Sequence, residues 1–229
     1  MSAFRGPRAT DRELLDIGVD PGETRKSLGD LRFVNRWLGN RGVVRRAVRD
    51  HLPAGGRLLD VGCGSADLPA YLLAGLPGPL LAVGLDVKVA HLQAAPRSVR
   101  RVVADVRRLP FPDRSFDVVT ASLFLHHFDA EELPALLRDL ARLARRALVV
   151  NDLRRARAPF LFGLLAFPVL FRSRVSVSDG LLSIRRGFRE PELRAAFDAA
   201  GLPRVAIRRS FPYRLLAVAT TGAAAGGPA

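Results

Sequence analysis

Cysteine is nearly absent: Cys63 is the only one in 229 residues, so no intramolecular disulfide can form. Histidine is almost as scarce, and the four present, His51, His91, His126 and His127, do not stand at the spacing of a zinc site, so no metal is expected. Lysine is confined to Lys26 and Lys88 among 36 basic residues; the rest are arginines scattered among many alanines. No apolar run reaches the roughly 18 residues of a membrane span, and residues 1–10 hold no apolar segment of the kind a secretion signal needs. A cytoplasmic location is the expectation.

Positive charge is present in excess, at +14. Such a surface gains affinity for nucleic acid by counterion release along the phosphate backbone. The excess sits mainly in the last third, where 13 arginines face 5 acids from Asn151 onward, a balance of +8. No recognised nucleic-acid module accompanies it, so a solvated basic surface is favoured over a nucleic-acid partner.

The densest information lies in Leu58-Leu59-Asp60-Val61-Gly62-Cys63-Gly64-Ser65-Ala66-Asp67-Leu68, followed by Gly84-Leu85-Asp86. An apolar run ending in Asp60 reads as a buried parallel strand, and Gly62 and Gly64 let the following turn bring bare backbone near a ligand. Asp86 stands near the roughly 20-residue spacing at which an acid in a βαβ unit accepts hydrogen bonds from ribose hydroxyls. A dinucleotide site needs a third glycine close to the pyrophosphate, but Ala66 and Asp67 occupy that part of the turn, and an aspartate there repels a pyrophosphate.

The motifs continue in order through Leu81-Ala82-Val83-Gly84-Leu85-Asp86, Ala104-Asp105-Val106 with Leu109-Pro110-Phe111-Pro112, and Ser115-Phe116-Asp117-Val118-Val119. Over about residues 30–155 this set resembles the class I S-adenosylmethionine-dependent methyltransferases, and the Leu125-His126-His127-Phe128 loop with the later Asn151-Asp152-Leu153-Arg154-Arg155 is similar to the type 11/25 domains of bacterial polyketide- and quinone-pathway enzymes. The resemblance implies S-adenosylmethionine as cofactor and S-adenosylhomocysteine as product. It places Asp60 near the methionine end, with the backbone of Gly62, Cys63 and Gly64 beside it. Asp86 would hold the ribose hydroxyls, Val87 pack on the adenine, Asp105 accept from the adenine amino group and the backbone of Val106 complete that edge. Arg36, or Asn35, on a helix ahead of the first strand would reach the methionine carboxylate, and Trp37 would line the acceptor site. Cys63 reads as a small packing residue rather than a nucleophile, because no helper histidine is indicated.

One domain of ordinary size is expected, α/β in class. Residues 1–50 form a helical extension with a break at Asn40-Arg41-Gly42, and residues 51–220 form the cofactor-binding domain. Strands are predicted at 57–61, 80–86, 101–104, 116–121, 147–151, 204–209 and 213–220, with a helix at 191–200. Strands alternating with helices imply a parallel sheet with right-handed crossovers, and the short spacing of the last two suits an antiparallel pair. The resemblance implies a Rossmann-like sheet of seven strands, mostly parallel, with helices on both faces. Residues 221–229 read as a disordered tail.

Two features bear on the acceptor. Residues 158–174 form an apolar stretch flanked by arginines within an insertion at about 156–187, which reads as a lid over an apolar acceptor pocket, as a buried core helix, or as a shallow membrane contact. After the fourth strand comes Ser122-Leu123-Phe124-Leu125-His126-His127-Phe128-Asp129, at the carboxyl end of a central strand, where open α/β sheets bind ligands. Ser122 faces the cofactor there, and His126 or His127 is the candidate base, with His126 favoured. Asp129 and Glu132 read as a helix N-cap and capping box. The expected activity is O-methylation of an apolar phenolic, polyketide or quinol-like small molecule. The alternatives are an RNA or protein methyltransferase, a nucleotide-dependent reductase or a non-catalytic nucleotide-binding protein. Thr120-Ala121-Ser122-Leu123 lacks the Asn/Asp-Pro-Pro-aromatic pattern of amino-group methylation, which disfavours a base nitrogen as acceptor.

Overall fold

The apolar runs become strands because parallel strands covered on both faces need hydrophobic residues at every position rather than at alternate ones. In the computed structural model, which describes residues 7–38 and 41–222, such runs form β1 (Arg57–Val61), β2 (Leu81–Asp86), β4 (Phe116–Ser122), β5 (Ala144–Leu153) and β7 (Arg214–Thr220), while the largely exposed β3 (Arg100–Val103) and β6 (Val205–Ser210) lie at the two edges. They form one sheet of seven strands in the order β3-β2-β1-β4-β5-β7-β6. Every pairing is parallel except those of β7 with β5 and β6. The order reverses between β1 and β4, and the carboxyl ends of those strands open the crevice that holds the site.

Helices cover both faces. Leu58, Ala82, Val118 and Val149 point to one side, against α3 (Arg41–Arg49) and α4 (Asp67–Gly75) through Val44, Val48 and Leu72. Their neighbours Leu59, Val83, Val119 and Leu148 point to the other side, against α6 (Leu133–Leu143) and α9 (Glu190–Ala199) through Leu137, Leu140, Leu193 and Phe197. Burying side chains of this size stabilises by roughly 1.5–3 kcal/mol each. The short helix α5 (Val89–Gln93) closes the edge near β2 and β3.

The N-terminal region holds α1 (Leu14–Ile17) and α2 (Pro21–Trp37), and α2 starts at Asp20, whose carboxylate accepts from the N–H groups of Gly22 and Glu23. The expected break at 40–42 is narrower than that, because α3 begins at Arg41, while Asn40 lies outside the described residues. Between β5 and α9 the insertion forms α7 (Arg157–Leu170) and α8 (Arg174–Arg186). Ser173 caps α8 with its side chain and is itself held by the Asp30 carboxylate of α2.

Three local expectations are corrected. β5 starts at Ala144, earlier than 147, because α6 runs directly into it and Phe116 pairs with Ala144 across an irregularity in the ladder. Asp129 is not the cap of α6: the helix starts at Leu133 with Glu132 at the N-cap, and the Asp129 N–H donates to Glu132 in the turn ahead. The tail expected from 221 is anchored at its first residue, where Thr221 bonds the carbonyls of Ala144 and Arg146; residues 223–229 lie outside the described residues.

Candidate active site

The turn after β1 is shaped by backbone that ordinary side chains resist. Gly62 and Gly64 have φ of +65° and +54°, and a Cβ at Gly62 would sit 2.0 Å from the Phe124 ring. At Gly64 the same construction meets nothing within 4 Å, because that backbone faces open cavity. Asp86 braces the turn: its carboxylate accepts from the Gly64 N–H and the Lys88 N–H, each at 2.8 Å. Burial works to raise the Asp86 pKa, but His91 and these two N–H groups outweigh it and hold the carboxyl below its usual value.

Asp60, at the end of β1, pairs across the ladder with Thr120, whose hydroxyl donates to it at 2.6 Å. Burial, reinforced by the nearby Asp86 charge, pushes Asp60 up to about 7 despite that hydrogen bond. The same burial, with the charges of Asp60 and Asp86, drives the Cys63 thiol far above its ordinary value, so it stays protonated. Its sulfur lies where a Cβ on Gly84 would come within 2.8 Å, so packing explains the residue.

The acceptor side is built on the loop after β4. Leu123, at φ +54°, turns the chain so that Phe124 and Leu125 aim their N–H groups at Asp152 near the end of β5. The other oxygen of Asp152 lies 2.7 Å from His126 Nδ1 and also accepts from the Leu153 N–H. Burial works to raise Asp152, yet the His126 charge and these hydrogen bonds outweigh it and keep the carboxyl below its usual range. With an ionised Asp152, His126 carries its proton on Nδ1 and presents Nε2 as the lone-pair nitrogen. Glu13 Oε1 lies 3.7 Å from that Nε2, and Glu13 Oε2 lies 3.9 Å from His127 Nδ1. Buried Arg214 completes this wall; burial lowers it to about 10, against the opposing pull of Asp152.

Residues 8–17 strap across this region. The N–H groups of Leu14 and Leu15 donate to the Asp179 carboxylate of α8, at 2.8 and 2.9 Å. Arg8 stacks over Phe188, and Arg8 and Arg186 both donate to the His126 carbonyl. Glu13 is held by the Ser183 hydroxyl. The cavity, about 430 Å³ and partly open to solvent, is continuous from the glycine turn to the histidines, and Pro159, Phe162 and Phe167 of α7 form its apolar side.

Of the residues singled out from the sequence, Asp60, Gly62, Cys63, Gly64, Asp86, Val87, Ser122, His126 and His127 all line this cavity. Asp105 and Val106 do not: Asp105 is exposed and caps the Arg107 N–H, and Val106 is buried in the core. Arg36 is directed away, exposed and stacked over an equally exposed Trp37. Leu28, Leu31 and Val34 of α2, with Leu38 just past its end, reach the cavity, and Arg36 lies on the opposite side of that helix. The Asn35 side chain lies outside the described residues. Glu13 and Arg214 carry no local motif, and Asp152 lies in the Asn151-Asp152-Leu153-Arg154-Arg155 stretch, which by itself assigns it no catalytic role. The one available signal was an acid at the carboxyl end of a central strand. Among the described residues, Glu13, His126 and His127 alone bring potential metal ligands together, all within 4.8 Å of one another.

The cradle fits S-adenosylmethionine: bare backbone at Gly64 facing open space, an ionised Asp86 beside it, and a second acid, Asp60, deeper in. A methyltransferase-domain family model matches residues 58–147. The chain is 36% identical over 110 residues to the demethylmenaquinone methyltransferase of Roseiflexus sp. (strain RS-1), covering 46% of this chain and 45% of that one. It is 37% identical over 103 residues to the 27-O-demethylrifamycin SV methyltransferase of Amycolatopsis mediterranei, covering 41% and 36%. The chain spans about half the length of the curated relatives it matches, or less. Among solved structures, the plantazolicin methyltransferase BpumL in complex with S-adenosylhomocysteine superposes with a TM-score of 0.70 at 17% identity, covering 89% of this chain and 91% of that one. A SAM-dependent methyltransferase from Aquifex aeolicus gives 0.64 at 18%, covering 89% and 100%. Residues 58–147 thus match a methyltransferase domain, and the described chain has the fold of the class I S-adenosylmethionine-dependent methyltransferases.

Proposed function

We propose that the protein is an S-adenosylmethionine-dependent methyltransferase that methylates a hydroxyl oxygen of an apolar small molecule of the phenolic, polyketide or quinol-like kind. The observation that carries this reading is the Asp152–His126 pair, facing an apolar cavity that runs on to the glycine turn. S-adenosylmethionine supplies a sulfonium methyl group already activated for displacement, so few catalytic side chains are needed. The chain aligns the two reactants, excludes water and removes one proton.

The acceptor hydroxyl loses its proton to His126 Nε2 as its oxygen takes the methyl group. Asp152 holds the ring by Nδ1–H and offsets the imidazolium that forms, and Glu13 stands 3.7 Å from Nε2 to pass the proton on. Such positioned proton transfer contributes roughly 10²–10⁴-fold in rate. Phe162, Phe167 and Pro159 exclude water and select an apolar acceptor. The names of two relatives, for demethylmenaquinone and 27-O-demethylrifamycin SV, support the same acceptor class.

The test is incubation with methyl-labelled cofactor and a panel of phenols, hydroquinones and aromatic polyketides, followed by mass analysis of the product. Label on the oxygen of an apolar acceptor is expected. Label found only in RNA or protein, or on carbon or nitrogen across the panel, overturns the reading.

A further inference from the structure

Helix α7 is apolar around its whole circumference, yet only one side is covered. Residues 158–171 contain no charged residue. Pro159, Gly163 and Phe167 face inward, a row spaced by four. The outward row is Ala158, Leu161, Leu165 and Val169, with Leu165 78% and Val169 84% exposed, and Leu164 and Leu170 exposed beside it. A helix that is hydrophobic all round is ordinarily enclosed on every side. This one leaves a ridge about 21 Å long in water, at 1.5 Å per residue over its 14 residues.

We propose that this ridge docks on the surface of an anionic lipid membrane, with α7 lying in the plane of the interface. Arginines bracket the ridge: Arg157 at its start, Arg172 and Arg174 just past its end, all exposed, in a chain of net charge +14. Apolar residues on one side with arginines at the margins match acyl chains below anionic headgroups. A second copy of the chain is a poorer occupant, because apposing two such ridges brings the arginine margins of like charge together. Insertion is shallow rather than spanning, since no helix among the described residues is long and apolar enough to cross a membrane.

The same helix puts Phe162 and Phe167 on the cavity wall, and Phe162 packs toward Tyr213 at a ring separation of 6.1 Å. Phe211, two residues before Tyr213, is exposed in the turn between β6 and β7. One helix thus separates the lipid from the cavity by its own thickness. The docking surface stands on exposure and charge alone and does not depend on the catalytic reading.

The experiment is co-sedimentation of the full chain with vesicles of phosphatidylcholine alone, or of phosphatidylcholine and phosphatidylglycerol in equal parts, at low and high salt. The protein is expected to pellet with the phosphatidylglycerol vesicles, more weakly at high salt. The double variant Leu165→Glu/Val169→Glu should partition about tenfold less, with the thermal shift by S-adenosylhomocysteine unchanged as a control on folding. A wild type that stays in the supernatant overturns the proposal. So does a double variant that pellets like the wild type, since overall charge would then account for the binding. A concentration-dependent dimer in sedimentation velocity that the same variant abolishes, without vesicle binding, overturns it in favour of a second copy.

Discussion

His126 Nδ1 lies 2.7 Å from Asp152 Oδ1, on a loop and a strand 26 residues apart, with the ring almost fully buried in the cavity wall and its Nε2 3.7 Å from Glu13 Oε1. Asp152 is a positioning residue: it selects the tautomer and opposes the charge the ring acquires. Asp152→Asn is therefore expected to lower kcat by roughly 10²–10⁴-fold, with the acceptor KM changed little. His126→Gln should lose as much. Steady-state kinetics across pH decides; an unchanged kcat in both variants would sink the base assignment.

Gly62→Ala pushes a methyl group into the Phe124 ring and forces an ordinary residue to φ +65°. Backbone strain of this kind costs on the order of 1–3 kcal/mol. Differential scanning fluorimetry should show a lower Tm and, in particular, no stabilisation by S-adenosylhomocysteine, whereas a ligand at a hundredfold its Kd adds about 2.7 kcal/mol to the wild type.

Asp60 makes stability depend on pH in an unusual direction for a carboxyl. Its folded pKa, about 7, lies above the ordinary value of 3.8, so the folded state binds the extra proton. Stability is full below the unfolded value and declines as pH rises through 4 to 7, by an amount on the order of 3–4 kcal/mol without ligand. Asp60→Asn should flatten that decline. Denaturant melts of both proteins between pH 5 and 8 provide the comparison, and parallel curves would contradict the assignment.

The strap over the cavity hangs on Asp179, which accepts from Leu14 and Leu15. Asp179→Ala should release residues 8–17 to limited proteolysis and raise the acceptor KM about tenfold, because losing two charge-assisted hydrogen bonds costs more than 1 kcal/mol. Cofactor affinity, set at the glycine turn, should change much less. An intact N-terminus after protease treatment would refute the strap.

Glu13, His126 and His127 sit close enough to ligate a cation, yet His126 and Glu13 are already tied to Asp152 and Ser183 as a proton path. Turnover is expected to survive prolonged chelation undiminished. Loss of activity restored by one divalent cation would convert the cluster from proton path to metal site.

The buried strands were legible because each carries a short apolar run bounded by turn signals, and that signal is local. The glycine turn and its acids were legible for the same reason. Arg36 marks the limit of a local signal: a helix shows one face to the cavity, and which one depends on how α2 packs. Asp105 likewise stands in the right motif but outside the cavity.

By itself, then, the sequence determined the strand segments and the residues of the cofactor turn, since backbone conformation and burial are written within about ten neighbouring residues; the order of the strands in the sheet came from the tertiary structure. Only the tertiary structure decided what the chemistry consists of. Asp152 finds His126 across 26 residues, and Glu13 finds Ser183 across 170. Tertiary packing also decided which side of α7 faces the cavity and which faces outward. A helix apolar on every side carries no periodicity from which to choose, and distant partners leave no pattern in the chain that links them.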